Sequence, residues 1–283
     1  MSERDSNKVF GNQRPGSMGM PTRNVMKDDF GLEIPAEAIP LPSQGQVYPA
    51  DSTLHGAETI DIRPMTAREE DILTSKALIK KGTVISELIR SCLVDKSINP
   101  DDMITGDRNA VMTALRITGY GADYSVQIDC PECGENSHHD FDLSALPIKR
   151  LGSEPVGPGQ NLFSFELPVT KKEVIFKFMT GHDEIMMTKI QNQKKKKQIG
   201  RESLITDRYK QAIISVAGIE DRTKIQFFIR NMPAKDSRAL RNYMDEIEPG
   251  IEMKAWMDCP HCFETSEVRL PLGASFFWPD AES

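Results

Sequence analysis

The chain has 283 residues, of which 39% are hydrophobic and 27% charged, with a formal charge of −7. An acidic balance of that size creates no general field for nucleic acid. No run of eighteen apolar residues occurs and the first residues are polar, so neither a membrane span nor a secretory leader is expected, and the natural setting is a reducing cytosol.

Residues 1–55 read as an extended or disordered arm. They carry Pro15, Pro21, Pro35, Pro40, Pro42 and Pro49 and show little hydrophobic period. One stretch stands out, Leu41-Pro42-Ser43-Gln44-Gly45-Gln46-Val47-Tyr48-Pro49. Its prolines favour extended backbone and Gly45 permits a turn. Leu41, Val47 and Tyr48 suit a clamp that begins on its own domain and leaves residues 1–38 free for a partner.

A globular pattern begins at 56. Ile60 and Ile62 alternate with polar residues, as in a strand. Thr66-Ala67-Arg68-Glu69 is a capping box that opens a helix, which Gly82 can end. A second helix is expected from Val84 to Leu93 and a third from Asp107 to Thr118, stopped by Gly119 and Gly121. Tyr124, Val126 and Ile128 alternate toward Cys130, and His139, Phe141 and Leu143 alternate away from Cys133. Strand, knuckle, strand is half of a zinc ribbon. This first half spans 56–150, and residues 151–164, rich in Gly and Pro, read as a linker.

The second half, 165–272, follows the same plan. Val174, Phe176 and Phe178 alternate as a strand, and Met179-Thr180-Gly181-His182-Asp183-Glu184 mirrors Met65-Thr66-Ala67-Arg68-Glu69-Glu70. A long helical stretch comes next, then a helix near Arg208 to Val216. Pro233 is placed at a first helical position, with Asp236 at N4, in a helix that ends near Ile247. Asp236 follows Asp107 by 129 positions, and Cys259 follows Cys130 by the same 129. Thr180 follows Thr66 by only 114, so the second half carries extra length in its middle, including Lys194–Lys197. The expected fold is α+β, built of two pseudo-repeated strand-helix-helix-helix-strand halves that share one zinc-ribbon module of four cysteines. Residues 273–283 form an apolar tail, where Phe276-Phe277-Trp278-Pro279 either folds back on the core or docks on a partner.

Four of the five cysteines sit in two matching runs, Asp129-Cys130-Pro131-Glu132-Cys133-Gly134-Glu135 and Asp258-Cys259-Pro260-His261-Cys262-Phe263-Glu264. A thiolate pair two residues apart wraps one side of a metal, and two such pairs complete a tetrahedral site. Cys130, Cys133, Cys259 and Cys262 are therefore expected to hold one structural zinc per chain. Four protein ligands leave no position for water or substrate, so the metal is not catalytic. Redox CxxC pairs are the rival reading, but those sit at helix N-termini and these lie between strands. His138, His139 and His261 are surplus to a filled shell. Cys92 lies on an apolar helical face with Val84, Leu88 and Ile89 and reads as a small buried hydrophobe. The Lys194–Lys197 run reads as a solvated face rather than a contact for nucleic acid or an acidic partner. No Gly-rich phosphate loop, G-x-S-x-G elbow or HExxH occurs, so no enzyme is expected.

The arm and first half resemble a family of contractile-tail bacteriophage proteins, the T4-type baseplate hub subunits and hub assembly factors. The resemblance rests on Leu41-Pro42-Ser43-x-Gly45 with Tyr48-Pro49, on Ile62-Arg63-Pro64-Met65-Thr66-Ala67-Arg68-Glu69-Glu70-Asp71-Ile72-Leu73, and on Gly106-Asp107-Arg108. It continues through Leu115-Arg116-Ile117, Tyr120-Gly121 and Asp123-Tyr124 to Cys130-Pro131-x-Cys133, and covers about residues 39–260. It implies a non-enzymatic structural or assembly component of the baseplate hub. Its place would be the virion tail baseplate, after assembly in the host cytoplasm. Its partners would be other phage baseplate or hub proteins, with no nucleic acid and no membrane. The alternative is a zinc-ribbon nucleic-acid-binding or transcription-associated factor. Such a ribbon places Lys, Arg and aromatics beside its knuckles, whereas these are rimmed by Asp129, Glu132, Glu135, Asp258 and Glu264.

Overall fold

The computed structural model describes residues 24–27, 33–196, 204–272 and 274–277. The described residues mix α-helices with small antiparallel sheets. A short hairpin pairs β1 (Asn24–Lys27) with β2 (Glu33–Pro35). Next, β3 (Glu37–Pro40) pairs with β4 (Thr59–Ile62), Ile39 opposite Ile60. The loop between them buries Leu41, Ser43, Val47, Tyr48 and Leu54. The arm boundary drawn at 55 therefore falls inside a hairpin, and this stretch packs into the core through Ile39, Leu41, Val47, Tyr48 and Leu54. The reason lies elsewhere in the chain. The Asp107 carboxylate accepts from Ser43 N (3.0 Å), Ser43 Oγ (2.6 Å) and the Tyr48 hydroxyl (2.6 Å), which satisfies polar groups that a buried loop would otherwise orphan. Most of residues 1–38 lie outside the described residues.

Four helices follow: α1 (Ala67–Thr74), α2 (Lys76–Lys81), α3 (Val84–Cys92) and α4 (Thr105–Tyr120). The one helix expected from Thr66 to Gly82 is two, because Ser75 turns extended and caps α2 with its side chain. Gly82 ends α2 at φ +73°, and a Cβ there would meet Thr188 Cγ2 at 2.8 Å. Cys92 is buried in the core, as its apolar face implies.

Thr66 opens α1 as the N-cap. Its N–H (2.9 Å) and hydroxyl (2.6 Å) both donate to Glu69, which also accepts from Arg63 Nη2 (2.6 Å) and Ser91 Oγ (2.5 Å). Burial alone would push this carboxyl up. The donors from Arg63, Ser91 and Thr66 outweigh it and hold Glu69 at about 2. A depressed carboxylate stabilises the fold above its ordinary pKa, and that stability is lost as pH falls through the folded value. Glu69 should thus contribute about 3 kcal/mol at neutral pH that disappears between about pH 4.5 and pH 2. Urea melts of wild type and Glu69→Gln should converge as pH falls through that window. A gap that stays constant would show that the charge on Glu69 is not the source.

The first half closes with the hairpin β5 (Asp123–Asp129) and β6 (Asn136–Asp142), and then β7 (Ile148–Lys149). The second half begins with β8 (Phe163–Glu166) paired to β9 (Glu173–Phe176). Phe163 is buried and the Gly152 N–H donates to Ile247 O, so the stretch read as linker is packed down at both ends. Then come α5 (Gly181–Lys196), α6 (Leu204–Ala212), β10 (Ile213–Val216), α7 (Arg222–Asn231), α8 (Ala234–Ile247), β11 (Gly250–Ile251), β12 (Lys254–Asp258) and β13 (Thr265–Arg269). The helix expected to reach Val216 stops at Ala212. The β-branched residues after it pair with β9, Val216 opposite Val174. Helix α7 is absent from the expected plan, although Asp221 caps it and Ile225 and Ile229 line its buried face. Pro233 is the N-cap of α8 rather than its first turn, which puts Asp236 at N3.

Local bonding patterns in the two halves match. Lys177 and Thr180 meet Asp183 (Lys177 Nζ at 2.6 Å, Thr180 N at 2.9 Å), in the places that Arg63, Thr66 and Glu69 hold 114 residues earlier. Asp236 accepts from Val169 N (2.7 Å) and Thr170 N (3.0 Å) after Leu167-Pro168, as Asp107 accepts from Ser43 after Leu41-Pro42. The Arg63 N–H donates to Cys92 O and the Lys177 N–H to Ala212 O, both at 2.9 Å.

One contiguous core holds the two sets together, from Ile39 to Phe277. Backbone bonds cross between them, Thr105 N to Met179 O and Gly181 N to Met103 O, and β7 pairs with β11. At Gly106 a Cβ would lie 1.7 Å from Pro249 O, so only glycine admits this crossing. The tail folds back on its own core: Phe276 and Phe277 are buried, and Arg116 Nε donates to Phe276 O at 2.9 Å. Trp278 and Pro279 lie outside the described residues.

Candidate metal centre

Each knuckle is a short turn that closes a hairpin. In the first, the Cys130 N–H donates to Glu135 O (2.9 Å) and the Gly134 N–H to Cys130 O (2.9 Å). In the second, the Cys259 N–H donates to Glu264 O (3.0 Å) and the Phe263 N–H to Cys259 O (2.9 Å). A side-chain bond seals each mouth, Asn136 to Asp129 (2.8 Å) and Thr265 to Asp258 (2.6 Å). The turn needs a left-handed residue after the second Cys. Gly134 supplies it at φ +76°, and Phe263 occupies the same place at φ +62°.

The turns bring all four predicted ligands together. Their sulfurs lie within 4.8 Å of one another. The short approaches run between knuckles: Cys130 Sγ to Cys262 Sγ is 3.8 Å, and Cys133 Sγ to Cys259 Sγ is 3.7 Å. These are not disulfide lengths. A tetrahedron with metal–sulfur bonds of about 2.3 Å has edges of about 3.8 Å. The set can therefore hold a metal ion. The histidines stand aside: His138 faces Asp140 at 3.7 Å, His139 meets Ser137 Oγ at 2.8 Å, and His261 is exposed.

The electrostatics favour a cation. The amide of Cys262, and then that of His261, support the Cys259 thiolate and hold its pKa down to about 6. At Cys262 the Glu264 amide helps, but burial and the neighbouring sulfurs outweigh it and push the thiol up to about 12. Sulfurs this close do not all ionise against one another; a divalent ion at their centre supplies the charge that allows it. Away from the sulfurs, the Tyr124 hydroxyl of β5 donates to Pro271 O, just past β13, at 2.9 Å. Cys130, Cys259, Met257 and Val268 form a small apolar cluster of their own, edged by Ile128, Phe141 and Cys262. Strand alternation marks those residues in the sequence, but it does not reveal that they pack beneath the sulfurs.

A separate cleft of about 880 Å³ lies between the halves, with Arg108, Glu184, Arg208 and Glu248 in its wall. Its charges face one another, Arg108 Nε to Glu184 at 3.2 Å and Arg208 to Glu248 at 3.4 Å. Lys194, from the lysine run, pairs with Asp207, and Lys197 lies outside the described residues. No helix among the described residues is long and apolar enough to cross a membrane.

The model of one protein family, the T4 bacteriophage base plate proteins, matches residues 39–278. The chain belongs to the T4 bacteriophage base plate protein family. The matched region starts in β3, contains both Cys pairs and ends at the C-terminal tail, so the four-cysteine cluster lies wholly within the base plate homology. No curated protein sequence and no solved structure gives a significant match to the chain.

Proposed function

We propose that this base plate protein is a non-enzymatic structural or assembly component of the baseplate hub, and that its folded form carries one zinc on Cys130, Cys133, Cys259 and Cys262. The observation that carries the zinc reading is the gathering of four sulfurs within 4.8 Å of one another, assembled from Cys pairs at distant points of the chain. The family match supports the tail baseplate as its location and baseplate proteins as its partners. Paired charges in the cleft, with four thiolates closing the metal shell, suit a scaffold better than a catalyst. The matching bonds in the two halves support an internal duplication, in which each half supplies one knuckle to a shared metal.

The test is a phage lacking this chain. Tail particles from that infection should lack the hub, and re-supplying the chain should restore it. Mass spectrometry of purified virions then separates a resident subunit from an assembly factor that leaves. Complete baseplates without the chain would sink the proposal. The acidic knuckle rims oppose the nucleic-acid alternative, and the purified protein should not shift duplex DNA at physiological salt.

A further inference from the structure

The two knuckles share one turn and differ between their first Cys and final Glu at two places, Glu132 against His261 and Gly134 against Phe263, the second being the left-handed position. A glycine adopts that conformation freely, and the first knuckle uses Gly134. The second uses Phe263, a bulky side chain in backbone that L-residues avoid. The ring gains nothing inside the chain in exchange, since Phe263 is 85% exposed. A second large aromatic on the same hairpin, Trp256 on the outer face of β12, is 69% exposed. Packing therefore does not explain the phenylalanine. The turn is also rigid: Phe263 follows Cys262 directly, and its own N–H is bound to Cys259 O at 2.9 Å. A rigid, exposed aromatic loses little entropy on binding, which is the property of an interface anchor.

The surroundings define the partner. Asp258 and Glu264 flank the anchor, and the shared sulfur cluster brings Glu132 and Glu135 to the same end of the module; all four are exposed. This ring of negative charge disfavours a phosphate backbone or an anionic bilayer. It complements a protein surface rimmed by Lys or Arg. We infer that the tip of the second knuckle docks on a partner protein, with Phe263 seated in an apolar socket that has a basic rim.

This rests on the baseplate reading, and the experiment separates the two. Phage are supplied with wild type, Phe263→Gly, Phe263→Leu or Glu264→Lys, and baseplates are counted by sedimentation. Phe263→Gly should retain one zinc per chain. Its melting temperature should be unchanged or up to about 3 °C higher, because glycine relieves the backbone. Its baseplate yield should fall about tenfold or more, as expected when a buried aromatic anchor is lost. Phe263→Leu should retain part of the yield, and Glu264→Lys should lower it without changing the melt. A Gly variant that assembles at the wild-type level overturns the anchor. So does one that loses yield and thermal stability together, which would make Phe263 structural. Phe263-dependent binding of the purified protein to phosphatidylglycerol vesicles, to duplex DNA or to a second copy of itself would also overturn it. Baseplates forming with no chain supplied would sink the baseplate reading, whereas a required chain with an indifferent Gly variant sinks the anchor alone.

Discussion

Replacing Cys130 by Ser should remove metal from the centre and open both ribbon hairpins while the main core stays folded. Structural zinc held by four thiolates contributes on the order of 10 kcal/mol of apparent binding free energy, and that energy is coupled to folding. Isolated two-stranded hairpins are marginal in water. Here the knuckle ends of β5–β6 and β12–β13 rest on the small cluster around Cys130, Met257, Cys259 and Val268, while Tyr124 at the far end of β5 is anchored in the core that runs from Ile39 to Phe277. Without the metal, too little apolar contact remains to hold the knuckles together. Elemental analysis should read one zinc per chain in wild type and none in Cys130→Ser. Hydrogen exchange should show the amides of Ser137 and Ser266 losing protection, while those of Leu88, Leu115 and Leu240 keep most of theirs. Chelator added to wild type should reproduce the pattern. Well-folded wild type without metal, or a variant whose hairpins stay protected, would refute the role given to the cluster.

The features that could be read from the chain are those with fixed local spacing. The Cys pairs and the Thr66–Glu69 box each complete their chemistry within a few residues, so the sequence displays them directly. What could not be read depends on partners far away. Nothing between Tyr209 and Val216 breaks a helix, and only pairing with β9 makes Ile213–Val216 a strand. The proline-rich composition before residue 55 matches an unpacked arm. Its burial is decided by Asp107, which lies 59 positions beyond the Tyr48 hydroxyl that it accepts from. Glu69 depends likewise on Ser91, 22 positions away. Phe263 is visible in the knuckle motif, but its meaning appears only with the backbone angle and the exposure of the ring.

Asp107→Ala should destabilise the protein by about 3–5 kcal/mol, the cost of breaking a buried charged network by removing one partner. Asp107 is fully buried at the third position of α4. Its loss orphans Ser43 N, Ser43 Oγ and the Tyr48 hydroxyl, and Tyr48 in turn accepts from Ile104 N at 3.1 Å. The melting temperature should fall by about 10 °C, and the loop between β3 and β4 should become the first site of proteolysis. Tyr48→Phe removes one bond of the set and should cost about 1–3 kcal/mol. The pH dependence runs opposite to that of Glu69. Burial raises the folded Asp107 carboxyl above its ordinary value, against the donors from Ser43 and Tyr48. The native state therefore binds the proton more tightly than the unfolded chain, and this contribution to stability declines as pH rises above the ordinary aspartate range. Asp107→Asn, which keeps the shape without the charge, should flatten that part of the profile while costing less than Asp107→Ala. Urea melts of the three variants between about pH 4 and pH 7 test this. If Asp107→Ala melts within about 1 kcal/mol of wild type, the β3–β4 loop is held by its apolar residues and not by the carboxylate.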